Sequence, residues 1–243
     1  MSDAATGQAQ GTEFTACAAD LELLARLHDR ELEKRDLDAL AAAPVGDWFW
    51  LRPHDEAAVK ARTLIDEYLA DMVDTAADEI AVDYAQLYLT FGKRIAPNES
   101  YWLTEDHIER QGPMFDVRLW LEHYGLGAAD WRKRADDHVV SELQFIAHLL
   151  REGSTAALGD AAHFLDRHLL LWSKEFFGGM ALRADTPFYA GLGLLSQSYI
   201  EALRDILAQA TGVSRPLPGE VKPEVTVAEP PPAPFVPGMA PSW

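Results

Sequence analysis

Apolar residues recur at helical spacing along most of this chain. Leu21, Leu24, Leu27 and Leu32 fall close to one face, with Asp20, Glu22, Asp29, Glu31 and Glu33 on the other. Pro44 and Gly46 interrupt the pattern. Trp48-Phe49-Trp50-Leu51 is too short and isolated for a strand and reads as an aromatic plug in a helical core. His54 or Asp55 opens a helix through Leu64, Tyr68 and Met72. The next runs from about Asp78 to Phe91, carrying Ile80, Tyr84, Leu87 and Tyr88. Gly92 to Leu103 reads as a connector. Thr104 starts a short helix that Gly112-Pro113 ends, and Pro113 opens one through Val117, Trp120, Leu121 and Tyr124. Asp136 or Asp137 caps a helix with Val139, Leu143, Ile146 and Leu150 inward. Ser154 opens another through Phe164, Leu169, Trp172 and Phe176, broken at Gly178-Gly179. The last begins near Thr186-Pro187, with a stripe of Leu192, Leu195, Tyr199, Leu203 and Ile206.

Five-residue alternation and Asn-Gly hairpin turns are missing from the sequence. The predicted fold is therefore all-α: one globular domain of about ten helices over residues 15–211. Residues 1–14 are small and polar, and a disordered N-terminus is expected there. Nine of the chain's 14 prolines fall in residues 212–243, so a flexible, extended tail is expected.

Charge narrows the partners. The chain has 243 residues, a net charge of -18 and a pI near 4.7. A strongly negative field disfavours nucleic acid and anionic membrane surfaces and speeds encounter with basic ligands. The lone cysteine, Cys17, excludes an internal disulfide and sits among alanines and leucines like a core residue. No apolar run approaches the roughly 20 residues of a membrane span. The N-terminus lacks the basic and apolar regions of a secretory signal, so a cytoplasmic location is expected.

Enzyme chemistry finds little support. Asp160-x-x-His163 is a single carboxylate–histidine pair, where a di-iron bundle needs two Glu-x-x-His pairs and further glutamates. There is no Gly-x-Ser-x-Gly elbow and no Gly-rich phosphate loop. Asp137 and His138 are adjacent, hence about 100° apart on a helix, and cannot work as an oriented pair. The expectation is no catalytic residue, no metal site, no cofactor and no enzyme activity. A peptide-binding surface has positive support. One of Asp136 and Asp137 is spent on capping, which leaves the other, with His138 and Glu142, to face a groove. Glu99 stands in a Pro97 loop next to Tyr101 and Trp102. Carboxylates can pair with a guanidinium while rings stack on it. Tyr84 and Tyr88 sit at a spacing that core packing explains as well as ligand contact. The candidate peptide-binding set is thus Tyr84, Tyr88, Glu99, Tyr101, Trp102, Asp137, His138 and Glu142.

Four ordered motifs carry a resemblance: Tyr84-Ala-Gln-Leu-Tyr88, Pro97-Asn-Glu-Ser-Tyr-Trp-Leu103, Asp137-His138 with Glu142-Leu-Gln-Phe145, and Thr186-Pro-Phe-Tyr-Ala-Gly-Leu192. From about Ala16 to Gln209 the chain resembles the TorD/DmsD/NarJ family of molybdoenzyme maturation chaperones. It departs from the family pattern at Arg134-Ala135, where Glu-Pro is common, and after Gly92, where Gly-Pro-Gly is usual. The resemblance implies a cytoplasmic chaperone that binds the twin-arginine signal peptide or apo-form of a molybdopterin-containing subunit and delays export until the cofactor is inserted. The reading of the residues adds a division of labour: Glu99, Asp137 and Glu142 would take the guanidinium charge, and Tyr84, Tyr88, Tyr101 and Trp102 would give stacking and apolar contact. A homodimer is compatible with the sequence. A helical scaffold for an unrelated partner and a metal-dependent helical enzyme are the two other classes it admits.

Overall fold

Ala- and Gln-rich stretches form helix without leaving an apolar stripe, and the first helix uses this. α1 (Ser2–Asp29) starts well ahead of Thr15, within the residues for which disorder was expected. By Phe14, Cys17, Leu21 and Leu24 it is in the core. The computed structural model describes residues 2–73, 75–90, 92–127, 133–217 and 219–221, with side chains from residue 11 onward. Then follow α2 (Lys34–Leu40), a 3-10 turn (Val45–Asp47), α3 (Glu56–Ala70), α4 (Ala76–Tyr84) and a π-helical turn (Ala85–Leu89). α5 (Glu99–Leu103), α6 (Gly112–His123), α7 (Val139–Glu152), α8 (Thr155–Arg167), α9 (Leu169–Arg183) and α10 (Pro187–Thr211) complete the series. The fold is all-α, and among the described residues the one β feature is an isolated bridge between Asn98 and His138.

α10 is the central helix, packed against α3, α8 and α9, while α1 packs along α7. Its start is fixed twice. Thr186 Oγ1 accepts from the Tyr189 N–H, and the buried Asp83 carboxylate of α4 accepts from the Thr186 N–H at 2.8 Å and the Thr186 hydroxyl at 2.7 Å. Its close packing depends on two glycines. A Cβ on Gly191 would meet Ile65 Cγ1 at 2.6 Å, and one on Gly193 would meet the Phe177 carbonyl oxygen at 2.6 Å. The second neighbour is helix backbone and cannot rotate away. Gly193→Ala is therefore expected to lose about 1–3 kcal/mol by overpacking. Gly178→Ala, with nothing within 4 Å of the new methyl, should be neutral or gain up to about 1 kcal/mol of helix propensity. Urea midpoints of the two variants check this, and equal midpoints would mean that α9 and α10 separate without strain.

Three boundaries differ from the sequence pattern. The break between the eighth and ninth helices falls at His168, not at Gly178-Gly179. α9 runs through both glycines, and Gly179 lets Ile95 approach to 3.5 Å of its Cβ position. α5 lies inside the stretch taken as a connector, and residues 104–111, expected to be helical, form the loop after it. In the aromatic patch Phe49 is buried, but Trp50 is largely exposed, so the plug is mainly Phe49. α10 ends at Gly212 in the left-handed region, φ 74°. Most of the Pro-rich tail, residues 222–243, lies outside the described residues. Among those described, no helix is long and apolar enough to cross a membrane. Cys17 is buried, and burial pushes its thiol up to about 12, so it is an unreactive core group.

Candidate functional site

Two segments far apart in sequence are laced together ahead of α7. The Glu99 N–H donates to the Asp137 carbonyl at 2.9 Å, and the Val139 N–H donates to the Pro97 carbonyl at 2.8 Å. Asp137 then turns its carboxylate back onto α5. It accepts from the Ser100 N–H at 2.8 Å and from Asn98 Nδ2 at 3.3 Å. The cap of α7 is neither aspartate. His138 Nδ1 accepts from the Val140 N–H at 3.1 Å, which requires a neutral ring with its proton on Nε2. Burial, with Arg134, His28 and Arg94 nearby, pushes the His138 imidazole down to about 3 and keeps it neutral. Asp136 is taken by Arg118 at 2.6 and 2.8 Å.

This lacing corrects the expected role of the carboxylates. Glu99 is 1% exposed, and Asp137 and Glu142 are 0% exposed, so none faces an open groove. Glu99 accepts from His168 Nδ1 at 3.0 and 3.1 Å, and Glu142 accepts from Trp172 Nε1 at 3.4 Å. The second Glu142 oxygen has no hydrogen-bond partner among the described residues, and the charge of Glu99 acts on the carboxyl group. Two buried acids in contact cannot both ionise. Burial, then the charges of Glu99 and Asp137, hold the Glu142 carboxyl well above its usual range. Burial also raises Glu99, but His168 draws it back. Of the two, Glu142 is therefore the one held in its protonated form.

A raised carboxyl pKa stabilises the fold below the unfolded-state value, about 4.3, and that stability is lost as pH rises toward the folded value. Glu142→Gln keeps the acceptor for Trp172 Nε1 and removes the titration. Its melting temperature is expected to match wild type near pH 4.5 and to exceed it increasingly toward pH 8. A constant difference across that range would place the proton elsewhere.

The aromatic candidates divide. Tyr84 and Tyr88 are buried, stacked at 4.6 Å and 22° across the π-helical turn. The Tyr84 hydroxyl donates to the Asp29 carbonyl at 2.8 Å. Tyr88 lies 2.6 Å from His28 Nδ1, and His28 Nε2 lies 2.9 Å from Ser196 Oγ, which donates to the Leu192 carbonyl at 2.8 Å. One tautomer satisfies this whole chain: Tyr88 donates to Nδ1 and Nε2–H donates to Ser196. Burial pushes His28 down to about 3, which keeps it in that neutral form. Both tyrosines are thus interior supports.

Tyr101 and Trp102 are only half-buried. Their rings meet edge-on at 5.3 Å, and Trp102 Nε1 donates to the Ala96 carbonyl at 2.9 Å. The following loop carries Glu105 and Asp106 exposed. It contains two non-glycine residues in the left-handed region, His107 (φ 50°) and Arg110 (φ 65°). His107 Nδ1 bonds the Tyr101 carbonyl at 2.9 Å, and the Arg110 N–H donates to Ser100 Oγ at 2.8 Å, which holds that backbone. α6, packed beside α5, exposes Phe115 (46%) and Leu119 (60%) one turn apart. Of the sequence-predicted residues, then, Tyr101, Trp102 and the half-buried His138 border solvent. The other five are buried.

Residues 52–178, from before α3 into α9, match a family model described as nitrate reductase delta subunit. This chain belongs to the TorD/DmsD/NarJ family. A protein of Shewanella loihica named Chaperone protein TorD is 27% identical over 187 residues, 73% of this chain and 86% of that protein. Chaperone protein TorD of Escherichia coli K12 is 25% identical over 185 residues, 73% of this chain and 89% of its own. The fold gives the TorD/DmsD/NarJ motifs physical content. Thr186-Pro187 is a cap and first helical turn, and Gly191 is a point of backbone contact. The Pro97 loop and the Asp137-His138 pair are two halves of one hydrogen-bonded clasp.

Sequence reasoning missed His168, Asn98, Ser100 and Trp172, which complete the interior network. His168 sits in an unbroken helical pattern that hides the chain break. Phe115 and Leu119 were readable: Met114 to Leu121 is more apolar than one buried face requires. Among the described residues, no three His, Cys, Asp or Glu side chains are placed to share a metal ion. Asp160, half of the weak metal pair, instead accepts from the Tyr124 hydroxyl at 2.5 Å.

Proposed function

We propose that this protein is a cytoplasmic maturation chaperone. It binds the twin-arginine signal peptide, the apo-form, or both, of a molybdopterin-containing oxidoreductase subunit. It assists cofactor insertion and delays export until that is done. The observation that carries this reading is the family match over residues 52–178, a span that holds the whole clasp and the half-buried aromatics beside it. Its relatives named as TorD chaperones support the same reading.

The geometry suggests a division of labour. Tyr101, Trp102 and His138 offer stacking and apolar contact at the surface. Glu105 and Asp106 supply negative charge beside them, while Phe115 and Leu119 suit the apolar part of a signal peptide. Asp137 and Glu99 act from within by holding α5 in place, while Glu142, Tyr84 and Tyr88 belong to the buried interior.

The test is a calorimetric titration with a synthetic signal peptide carrying two adjacent arginines. Binding is expected, and it should weaken as salt shortens the screening length from about 30 Å at 0.01 M to about 3 Å at 1 M. A di-lysine peptide should bind less well, because lysine lacks the planar donor fork and stacking face. A peptide with both arginines replaced by alanine that binds as tightly would sink the proposal.

A further inference from the structure

On α3 and α4, away from the clasp, lies an open cavity of about 280 Å³. Leu64, Tyr68 and Met72 of the α3 side, with Pro187 at the start of α10, give it an apolar floor. Its rim carries Glu67, Asp71 and Glu79, all exposed. Among the described residues, none of these three carboxylates takes part in an ion pair. The Thr75 hydroxyl donates to Glu79 at 3.0 Å and holds it in position.

A second feature adds to the charge. α3 ends here, with Asp71 as its C-cap and no basic residue in its last turn. Helix C-termini carry partial negative charge and favour a cation. Where many helices supply one from their own last turn, this one presents further acids. The Tyr68 phenol lies above its ordinary range through burial and the neighbouring Glu79 and Asp83, in keeping with a negative pocket.

We propose that this cavity is a second docking site, which takes one arginine side chain of a partner polypeptide. The aliphatic stem would lie on Leu64, Tyr68 and Met72, and the guanidinium would meet the rim carboxylates. Three arguments favour this occupant. The volume falls just below the roughly 300–1,000 Å³ of pockets for whole small ligands, so it suits a single long side chain. A floor that is apolar and a rim that is anionic match an alkyl stem with a cationic head. Val73, exposed at 63% beside the opening, gives a flanking apolar residue something to rest on. The site is independent of the signal-peptide reading.

The test uses the full chain and acetyl-Leu-Arg-Leu-amide, followed by amide chemical shifts. Shifts are expected at residues 64–79 and near Pro187. The same peptide with citrulline, an uncharged isostere of arginine, should bind about tenfold more weakly or worse, as should Glu67→Gln/Asp71→Asn/Glu79→Gln as a triple variant. The triple variant should still respond to the twin-arginine peptide through its Trp102 indole signal, which separates failure here from failure of the proposed function. Equal binding by the citrulline peptide overturns the inference, as does an unaltered affinity of the triple variant or shifts confined to other helices. Spermidine occupying the same residues more tightly than the peptide would make the site a polyamine pocket and also overturn it.

Discussion

Asp166→Ala is expected to cost about 3–5 kcal/mol of folding free energy, the range for leaving one half of a buried ion pair. Arg204 of α10 is fully buried, and both its bonds to Asp166 of α8 are short, 2.8 and 2.7 Å. Removing the carboxylate leaves a guanidinium that cannot lose its proton and has only the Val213 carbonyl, at 3.2 Å, for company. The double variant Asp166→Leu/Arg204→Met should recover most of the loss, because apolar groups of similar volume often replace a buried pair at little cost. Urea midpoints of the three proteins test this. A single variant within about 1 kcal/mol of wild type would mean that water reaches Arg204. Asp166 also sits two residues before His168, so the pair steadies the break that aims the imidazole at Glu99.

Trp102→Ala should show the largest effect on binding. Tryptophans at the centre of peptide interfaces are commonly worth about 2 kcal/mol or more, roughly a thirtyfold weaker affinity. Trp102 is half-buried, held by one hydrogen bond to Ala96 and an edge contact with Tyr101. Its removal from the fold should cost less than the 3–5 kcal/mol of a fully buried tryptophan such as Trp172. The check is a denaturant midpoint and a peptide affinity on the same variant. If stability falls steeply while the folded fraction binds normally, Trp102 belongs to the core and the peptide lies elsewhere.

Periodicity and caps made most helices readable. Asp55, Ser154 and Thr186 each accept from the N–H three residues on, as their positions suggested. Where the pattern misled, a long-range contact had won. α5 is a single turn with no side-chain cap of its own, and its orphan N–H groups are met by Asp137. His168 leaves the helix to reach Glu99. The candidate carboxylates were readable as a set of neighbours, since Glu99, Asp137 and Glu142 do converge. Which way they point was not. A carboxylate that binds a guanidinium and one that ties down a backbone turn look alike in a sequence, because both want N–H donors. The difference is set by burial, and burial depends on how α5 and α7 are laid side by side.

The clasp also fixes the order in which the proposed binding face can come into being. α5 depends on donors and acceptors at residues 137 and 139, almost forty positions further along. A nascent chain that has emerged only as far as α6 has Tyr101 and Trp102 with their local contacts to Ala96 and His107, but lacks the Asp137 groups that hold the start of α5. The surface is completed when α7 begins, and it is buttressed when His168 arrives behind Glu99. A newly made molecule thus completes this face late in its own synthesis, after most of the helices that frame it have been made.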